Sequence, residues 1–259
     1  MNETMKHREF NEKALSAAVG QSALVRVFDE IDSTNDEAKR MAMAGVDRPV
    51  LIAADRQTAG RGRMGRSFYS PAKTGVYFSI LYRLRTPLQG IVSVTGAVAV
   101  SVMRAIRAVT GKQTQIKWVN DLYFDGKKVC GILCEAVTVG NVTHLIVGVG
   151  INLSTEEFPA DFDRRAGSLC VEDDVRTELI AEVWQSLLPS LNDPGNRTWL
   201  DDYRAHSCVI GREIAWTDGE TTYHGIATEI NREGELVVTR DDRETVILRT
   251  GEITLRVQS

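Results

Sequence analysis

One stretch of the sequence concentrates the groups that can hold an anion. Residues 56 to 120 contain no aspartate or glutamate and eleven lysines and arginines, leaving 20 basic against 35 acidic side chains elsewhere. At its start stands Gly60-Arg61-Gly62-Arg63-Met64-Gly65-Arg66. Glycines let backbone N–H groups approach an anion closely, and arginines supply forked, permanently charged donors. A phosphate or carboxylate is the expected guest, because three adjacent guanidinium groups repel one another and need a compensating anion. A second cluster, Lys117-Trp118-Val119-Asn120-Asp121, joins a cation, an amide and a carboxylate. Lys117 there could neutralise charge growing on a phosphate, and Asn120 or Asp121 could meet a nucleotide or a metal-bound water. The same pair also suits a simple Asn-Asp turn. Gly148, Gly150 and Asn152 close an apolar strand, and strand glycines mark the close approach of a ligand or another backbone. Lys128 and Gly131 lie on a hairpin between these pieces.

Two familiar phosphate motifs are excluded. Gly60, Gly62 and Gly65 have the spacing of a dinucleotide fingerprint, but the acidic residue expected about 20 positions on is missing, the next being Asp121. No Gly-Lys-Ser/Thr follows, which rules out a Walker loop. A net charge of −4 disfavours general nucleic-acid binding. Cys130, Cys134, Cys170 and Cys208 form no C-x-x-C pair and the four histidines are scattered, so no metal site is expected. Cys130 and Cys134, four apart in a strand, read as buried free thiols, and the cysteine usage suggests a cytoplasmic protein. No secretory signal is visible in the polar first twenty residues. The most apolar segment, Leu88 to Val109, is interrupted by Gly90, Ser93, Gly96, Ser101 and Arg104 and reads as a core helix, not a membrane span.

The elements that must position these groups follow from periodicity and turn signals. Helices are expected at His7 to Val19, Asn35 to Ala44, the apolar segment, Thr177 to Leu191 and Thr198 to His206. Thr34 and Glu37 have capping-box spacing. Strands are expected at Ala23 to Phe28, Pro49 to Asp55, Gly75 to Leu84, Gln115 to Trp118, Leu122 to Phe124, Lys128 to Val137 and Val142 to Ile151. Asp125-Gly126 is a strong hairpin signal. From Val209 onward five short strands alternate with turns, the last running from Ile253 to Val257, which predicts a small barrel after a boundary near Ser207.

In this order the pieces resemble the biotin–protein ligases, also called biotin–[acetyl-CoA-carboxylase] ligases. The matching residues are Asp32-Ser33-Thr34-Asn35, Gln57-x-x-Gly60-Arg61-Gly62-Arg63-x-Gly65-Arg66, Lys117-Trp118-x-Asn120-Asp121 and Lys128-x-x-Gly131-Ile132-Leu133. Gly148-x-Gly150-Ile151-Asn152 and Gly251-Glu252-Ile253-x-Leu255-Arg256 extend the match. The resemblance implies an α+β fold: a mixed sheet flanked by helices, like the catalytic domain of class II synthetases, over residues 1–207, then an SH3-like barrel over 208–259. It implies joining biotin to ATP, with Mg²⁺ on the phosphates, and passing biotin from biotinyl-5′-AMP to a lysine of a biotin carboxyl carrier protein.

The resemblance also assigns residues. Ser33, Thr34, Asn35 and Gln57 would line the biotin pocket, while Gly60, Arg61, Gly62 and Arg63 would close over biotin and the adenylate phosphate. Arg66 would hold ATP phosphates, and Phe68 would keep an aromatic wall. Lys117 would meet the phosphate or the biotin carboxylate, and Lys128 the activated carboxyl. Asn120, Asp121 and Asn152 would face the nucleotide, with Asp121 the candidate base for the acceptor lysine. Gly131, Leu133, Gly148 and Gly150 would complete the walls. Val119 stands where the family usually has proline, and Met64 where some members have a further arginine. Only one short helix precedes Ala23, so no operator-binding domain and no DNA partner are expected. A homodimer through sheet edges would be compatible. The nearest alternative is a lipoate or octanoate transferase of the same superfamily, and a more distant one is a non-catalytic carrier-binding or DNA-regulatory module.

Overall fold

The computed structural model describes residues 9–85, 90–160, 165–193 and 195–255. His7, at the start of the first expected helix, Leu88 and Gln89, at the start of the expected apolar helix, and Arg256 and Val257, at the end of the last expected strand, lie outside the described residues.

A seven-stranded sheet organises the first part. Its strands are β1 (Leu24–Ile31), β2 (Val50–Gln57), β3 (Gly75–Arg83), β4 (Gln115–Lys117), β5 (Asp121–Phe124), β6 (Lys127–Val139) and β7 (Val142–Asn152). They lie in the order β1-β2-β3-β7-β6-β5-β4. The β1–β2 pair is parallel and every other neighbour antiparallel, so the sheet is mixed as expected. β1 and β2 are joined through a helix, α2 (Thr34–Met43), as a parallel pair requires. The β5–β6 turn puts Asp125 at φ 48° and Gly126 at φ 73°, the double positive φ behind the Asp-Gly signal.

Helices cover both faces. α2 packs on one, burying Ala38 and Ala42 against Val50, Ile52, Leu81 and Ile146. Its N-terminus differs from expectation. Ser33, not Thr34, is the N-cap, accepting from the Asp36 N–H at 3.4 Å, and Thr34 is the first helical residue. That frees the Thr34 and Asn35 side chains to turn toward the sheet. The other face carries α1 (Glu12–Val19), α3 (Ile91–Thr110), α4 (Arg176–Asn192) and α5 (Leu200–Ala205). Asn11 caps α1 through the Ala14 N–H, so that helix begins later than its apolar pattern suggested. α3 is long and apolar enough to cross a membrane by length and composition, yet 67% of its apolar window is buried within the protein. Gly96 of α3 allows Trp199 to pack against the helix, since a Cβ there would lie 2.6 Å from the indole. Burying a large apolar side chain such as Trp184, 1% exposed, contributes about 1.5–3 kcal/mol.

The last part is a five-stranded antiparallel sheet of β8 (Glu213–Asp218), β9 (Thr221–Ile230), β10 (Leu236–Arg240), β11 (Thr245–Leu248) and β12 (Ile253–Leu255), ordered β11-β10-β9-β8-β12. This is the strand set of a small SH3-like barrel. Its apolar residues Ile214, Trp216, Val238 and Ile253 share one continuous core with the first part. The linking segment is anchored as well: the Ile116 N–H donates to His206 O (2.8 Å) and the Cys208 N–H to Ile116 O (3.0 Å).

Candidate functional site

The antiparallel register creates a hollow on the α2 face of the sheet. Across β3, β7 and β6 it aligns Ser79 with Gly148 and Leu133, then Tyr77 with Gly150 and Gly131. Small residues leave room there, and two side chains from outside the sheet enter it. A Cβ on Gly148 would sit 2.1 Å from Asn35 Oδ1, and one on Gly150 would sit 2.4 Å from the Phe68 ring. The strand glycines thus mark close approach by side chains of the protein itself. Around them lies a cavity of ≈ 450 Å³, within the ordinary range of roughly 300–1,000 Å³ for ligand sites.

Nearly all residues singled out in the sequence line this cavity: Ser33, Thr34, Asn35, Gln57, Arg61, Gly62, Arg63, Arg66, Phe68, Asn120, Asp121, Lys128, Gly131, Leu133, Gly148, Gly150 and Asn152. Gly60 and Lys117 do not. A Cβ on Gly60 would lie 2.4 Å from Phe68 O, so this glycine serves the turn of the loop. Lys117, at the end of β4, is 7% exposed and lies with its ammonium 5.6 Å from the centre of the Tyr123 ring. Burial pushes its pKa below the ordinary lysine range, and the charge of Asp121 partly opposes that shift. The Trp118–Val119 peptide preceding Asn120 is cis.

One end of the cavity is a closed polar floor. Gln57 Oε1 accepts from the Thr34 N–H (2.9 Å), and Gln57 Nε2 donates to Ser70 Oγ (2.9 Å). Ser79 Oγ lies 2.7 Å from Thr34 Oγ1 and 2.6 Å from Asn35 Oδ1. Asn35 Nδ2 donates to Glu135 Oε2 (2.9 Å), whose other oxygen accepts from Lys39 Nζ (2.8 Å). Ser79 and Glu135 were not singled out in the sequence. Ser79 is one hydroxyl inside an apolar strand, and only the register shows what it faces.

The other end is cationic. The glycine-arginine loop folds on itself through Phe68 N–H to Gly60 O (2.8 Å) and Gly62 N–H to Arg66 O (2.7 Å). Two of its three arginines already meet carboxylates of the protein itself. Arg61 pairs with Asp36 at 2.6 Å, and Arg66 reaches both oxygens of Glu252 at 2.6 Å. Arg63 donates to Asn120 Oδ1 at 2.9 Å. The compensating carboxylates come from outside the acid-free stretch, one of them from the C-terminal segment. Lys128 pairs with Asp121 at 2.8 Å. Asn152 Nδ2 donates to Gly167 O (2.9 Å), drawing residues 165–169 over the ends of β6 and β7.

The cysteines stand apart from this chemistry. Cys130 is buried as expected; Cys134, also expected to be buried, is half-buried, with desolvation pushing its thiol up to about 12, while Cys170 is exposed. Among the described residues no group of three or more His, Cys, Asp or Glu could hold a metal ion.

Comparison with known proteins bears on the same region. Residues 27–152 match the biotin/lipoate A/B protein ligase family. A bifunctional ligase/repressor BirA of Bacillus spizizenii is 40% identical over 144 residues, covering 54% of this chain and 44% of the relative, so the chain spans about half the length of that protein. A biotin–[acetyl-CoA-carboxylase] ligase of Mycobacterium tuberculosis is 29% identical over 96% of this chain and 95% of its own length. The structure of a biotin protein ligase from Aquifex aeolicus in complex with biotin and ATP superposes with a TM-score of 0.75 at 27% identity, covering 91% of this chain and 99% of the other. By the motifs that line its cavity and by sequence, residues 27–152 form a biotin/lipoate A/B protein ligase family domain, and over nine-tenths of its length the chain shares the fold of a biotin protein ligase.

Proposed function

We propose that the protein activates biotin with ATP as biotinyl-5′-AMP and transfers it to one lysine of a biotin carboxyl carrier protein. The observation that carries this reading is the two-ended cavity. A floor built on Thr34, Asn35 and Gln57 suits a polar ring, and a rim of Arg61, Arg63, Arg66 and Lys128 suits a carboxylate and phosphates. In this reading a carboxylate must approach an α-phosphate, and both are anionic. Arg63 and Lys128 neutralise the charge between them, and Arg66 takes the outer phosphates, which is electrostatic stabilisation by preorganised donors. Mg²⁺ would be held on the nucleotide phosphates and would neutralise their charge, with Asn120 and Asp121 the cavity side chains that would face it or its bound water. The glycine-arginine loop closes over the mixed anhydride and keeps water from it. Lys117 acts from beneath the site through its charge.

Two features of the molecule follow the same proposal. The division into a catalytic part, 1–207, and a C-terminal part, 208–259, assigns the second the task of supplying Glu252 to the rim. The outer edge of β1, which pairs only with β2 among the described residues, is the surface offered for a homodimer.

The test is purified protein with ATP, Mg²⁺ and either biotin or lipoate, read as pyrophosphate release and as labelling of a carrier domain. Release and labelling with biotin are expected. Release with lipoate but not biotin would replace this reading with the lipoate one.

A further inference from the structure

The hydrogen atoms of the cavity floor can be assigned by elimination. A carboxylate only accepts, so the Asn35 atom facing Glu135 Oε2 at 2.9 Å is the NH₂ group. Its second N–H points to Leu133 O at 3.5 Å. Asn35 Oδ1 therefore faces Ser79, and being an acceptor it takes the single Ser79 proton across 2.6 Å. Ser79 Oγ also donates to Thr34 Oγ1 at 2.7 Å, so its one proton is shared between two acceptors. The Thr34 hydroxyl in turn donates to Gln57 Oε1 at 3.2 Å, which also accepts from the Thr34 N–H at 2.9 Å. What remains toward the cavity is lone pairs on Thr34 Oγ1 and Asn35 Oδ1, and one spare N–H on Gln57 Nε2. Thr34, Asn35 and Ser79 are 3%, 4% and 0% exposed, so a ligand that fails to match leaves buried polar groups unpaired.

We infer that Glu135 and Ser79 are positioning residues that polarise the floor: acting through Asn35 and Thr34, they present acceptors to the ligand and so select a ring bearing N–H donors over a ring without them. Glu135 does this without touching the ligand. Lys39, 2.8 Å from Glu135 and 3.8 Å from Asp36, fixes the position of the carboxylate and ties it to the helix turn that holds Arg61. A site built to pair with a ligand N–H discriminates far more strongly than an apolar pocket of the same shape.

This inference rests on the biotin reading, and the experiment separates the two. Pyrophosphate release is measured against biotin and ATP separately, and with lipoate as competing acid, for wild type, Ser79→Ala, Glu135→Leu and Glu135→Gln. Ser79→Ala and Glu135→Leu are expected to raise the KM for biotin about 10–100-fold. The KM for ATP should stay within about 3-fold and the preference for biotin over lipoate should shrink. Glu135→Gln keeps the shape and one acceptor oxygen, and should recover most of the biotin affinity. A merely structural role would lower kcat and Tm without splitting the two KM values. Wild type that releases pyrophosphate with biotin, together with variants that keep its biotin KM or lose both KM values equally, overturns the inference alone. Wild type inactive with biotin overturns the parent reading and this one with it.

Discussion

At the scale of single residues, two side chains carry the electrostatic argument in different ways. Arg63 reaches the cavity and is held by Asn120 at 2.9 Å. Losing a charge-assisted hydrogen bond costs about 1.5–3 kcal/mol. Arg63→Gly is therefore expected to lower kcat/KM for adenylate formation about 10–100-fold, and to release the adenylate early so that lysines are labelled without discrimination. Mass spectrometry of labelled bystander proteins checks this, and strict acceptor choice in the variant would remove the loop's sheltering role. Lys117 acts from burial. Its pKa is pushed down by desolvation, with Asp121 opposing. The unfolded chain then holds that proton more tightly than the folded one. The group's contribution to stability is full above the ordinary lysine pKa of ~10.4 and is lost as pH falls through the depressed folded value. Lys117→Met removes this titration. Its Tm should exceed that of wild type at neutral pH, and the difference should narrow as pH rises toward 10. A pH-independent difference in thermal melts would contradict the assignment.

At the scale of elements, the site is a product of strand register. Gly131 and Gly150 face each other across β6 and β7, and the Phe68 ring lies over both. Gly150→Ala would drive a Cβ into that ring, an overpacking cost of about 1–3 kcal/mol. A Tm lowered by roughly 2–4 °C per kcal/mol is expected, with a raised KM for ATP as the aromatic wall is displaced. In the Phe68→Ala background the same substitution should be nearly silent, and additive effects in the double-mutant cycle would show that the contact is absent. The sequence made much of this legible. Alternating apolar runs placed the strands to within a few residues, and Asp125-Gly126 located its hairpin because only that turn wants two positive φ values. Less local facts escaped. The capping residue is Ser33 because the chain turns one residue earlier than the Thr34-Glu37 spacing indicates. Ser79 and Glu135 gave no signal, since a lone polar residue in a strand reveals its partner only after the sheet is assembled.

At the scale of the whole molecule, the charge asymmetry of the sequence resolves into contacts between distant segments. An acid-free stretch looked like a vacancy for an external anion. In the fold, Asp36 from α2 and Glu252 from just before β12 fill part of that role. Arg66 and Glu252 are 64% and 42% exposed, so their pairing adds little stability, and its consequence is positional: the last sheet contributes a carboxylate to the wall of a cavity built by the first. The continuous core beneath both sheets keeps that carboxylate in place. The sequence could announce the barrel by its short strands and turns, but not which of its residues returns to the cavity, because that depends on how the two sheets pack. In the proposed function, fixed cations bring two anionic reactants together beside a polar floor. A crystal structure of the protein with biotinyl-5′-AMP tests this most directly. The ring head should lie against Asn35, Thr34 and Gln57 with the phosphate within hydrogen-bonding reach of Arg63 or Lys128; a phosphate bound away from both cations would contradict it.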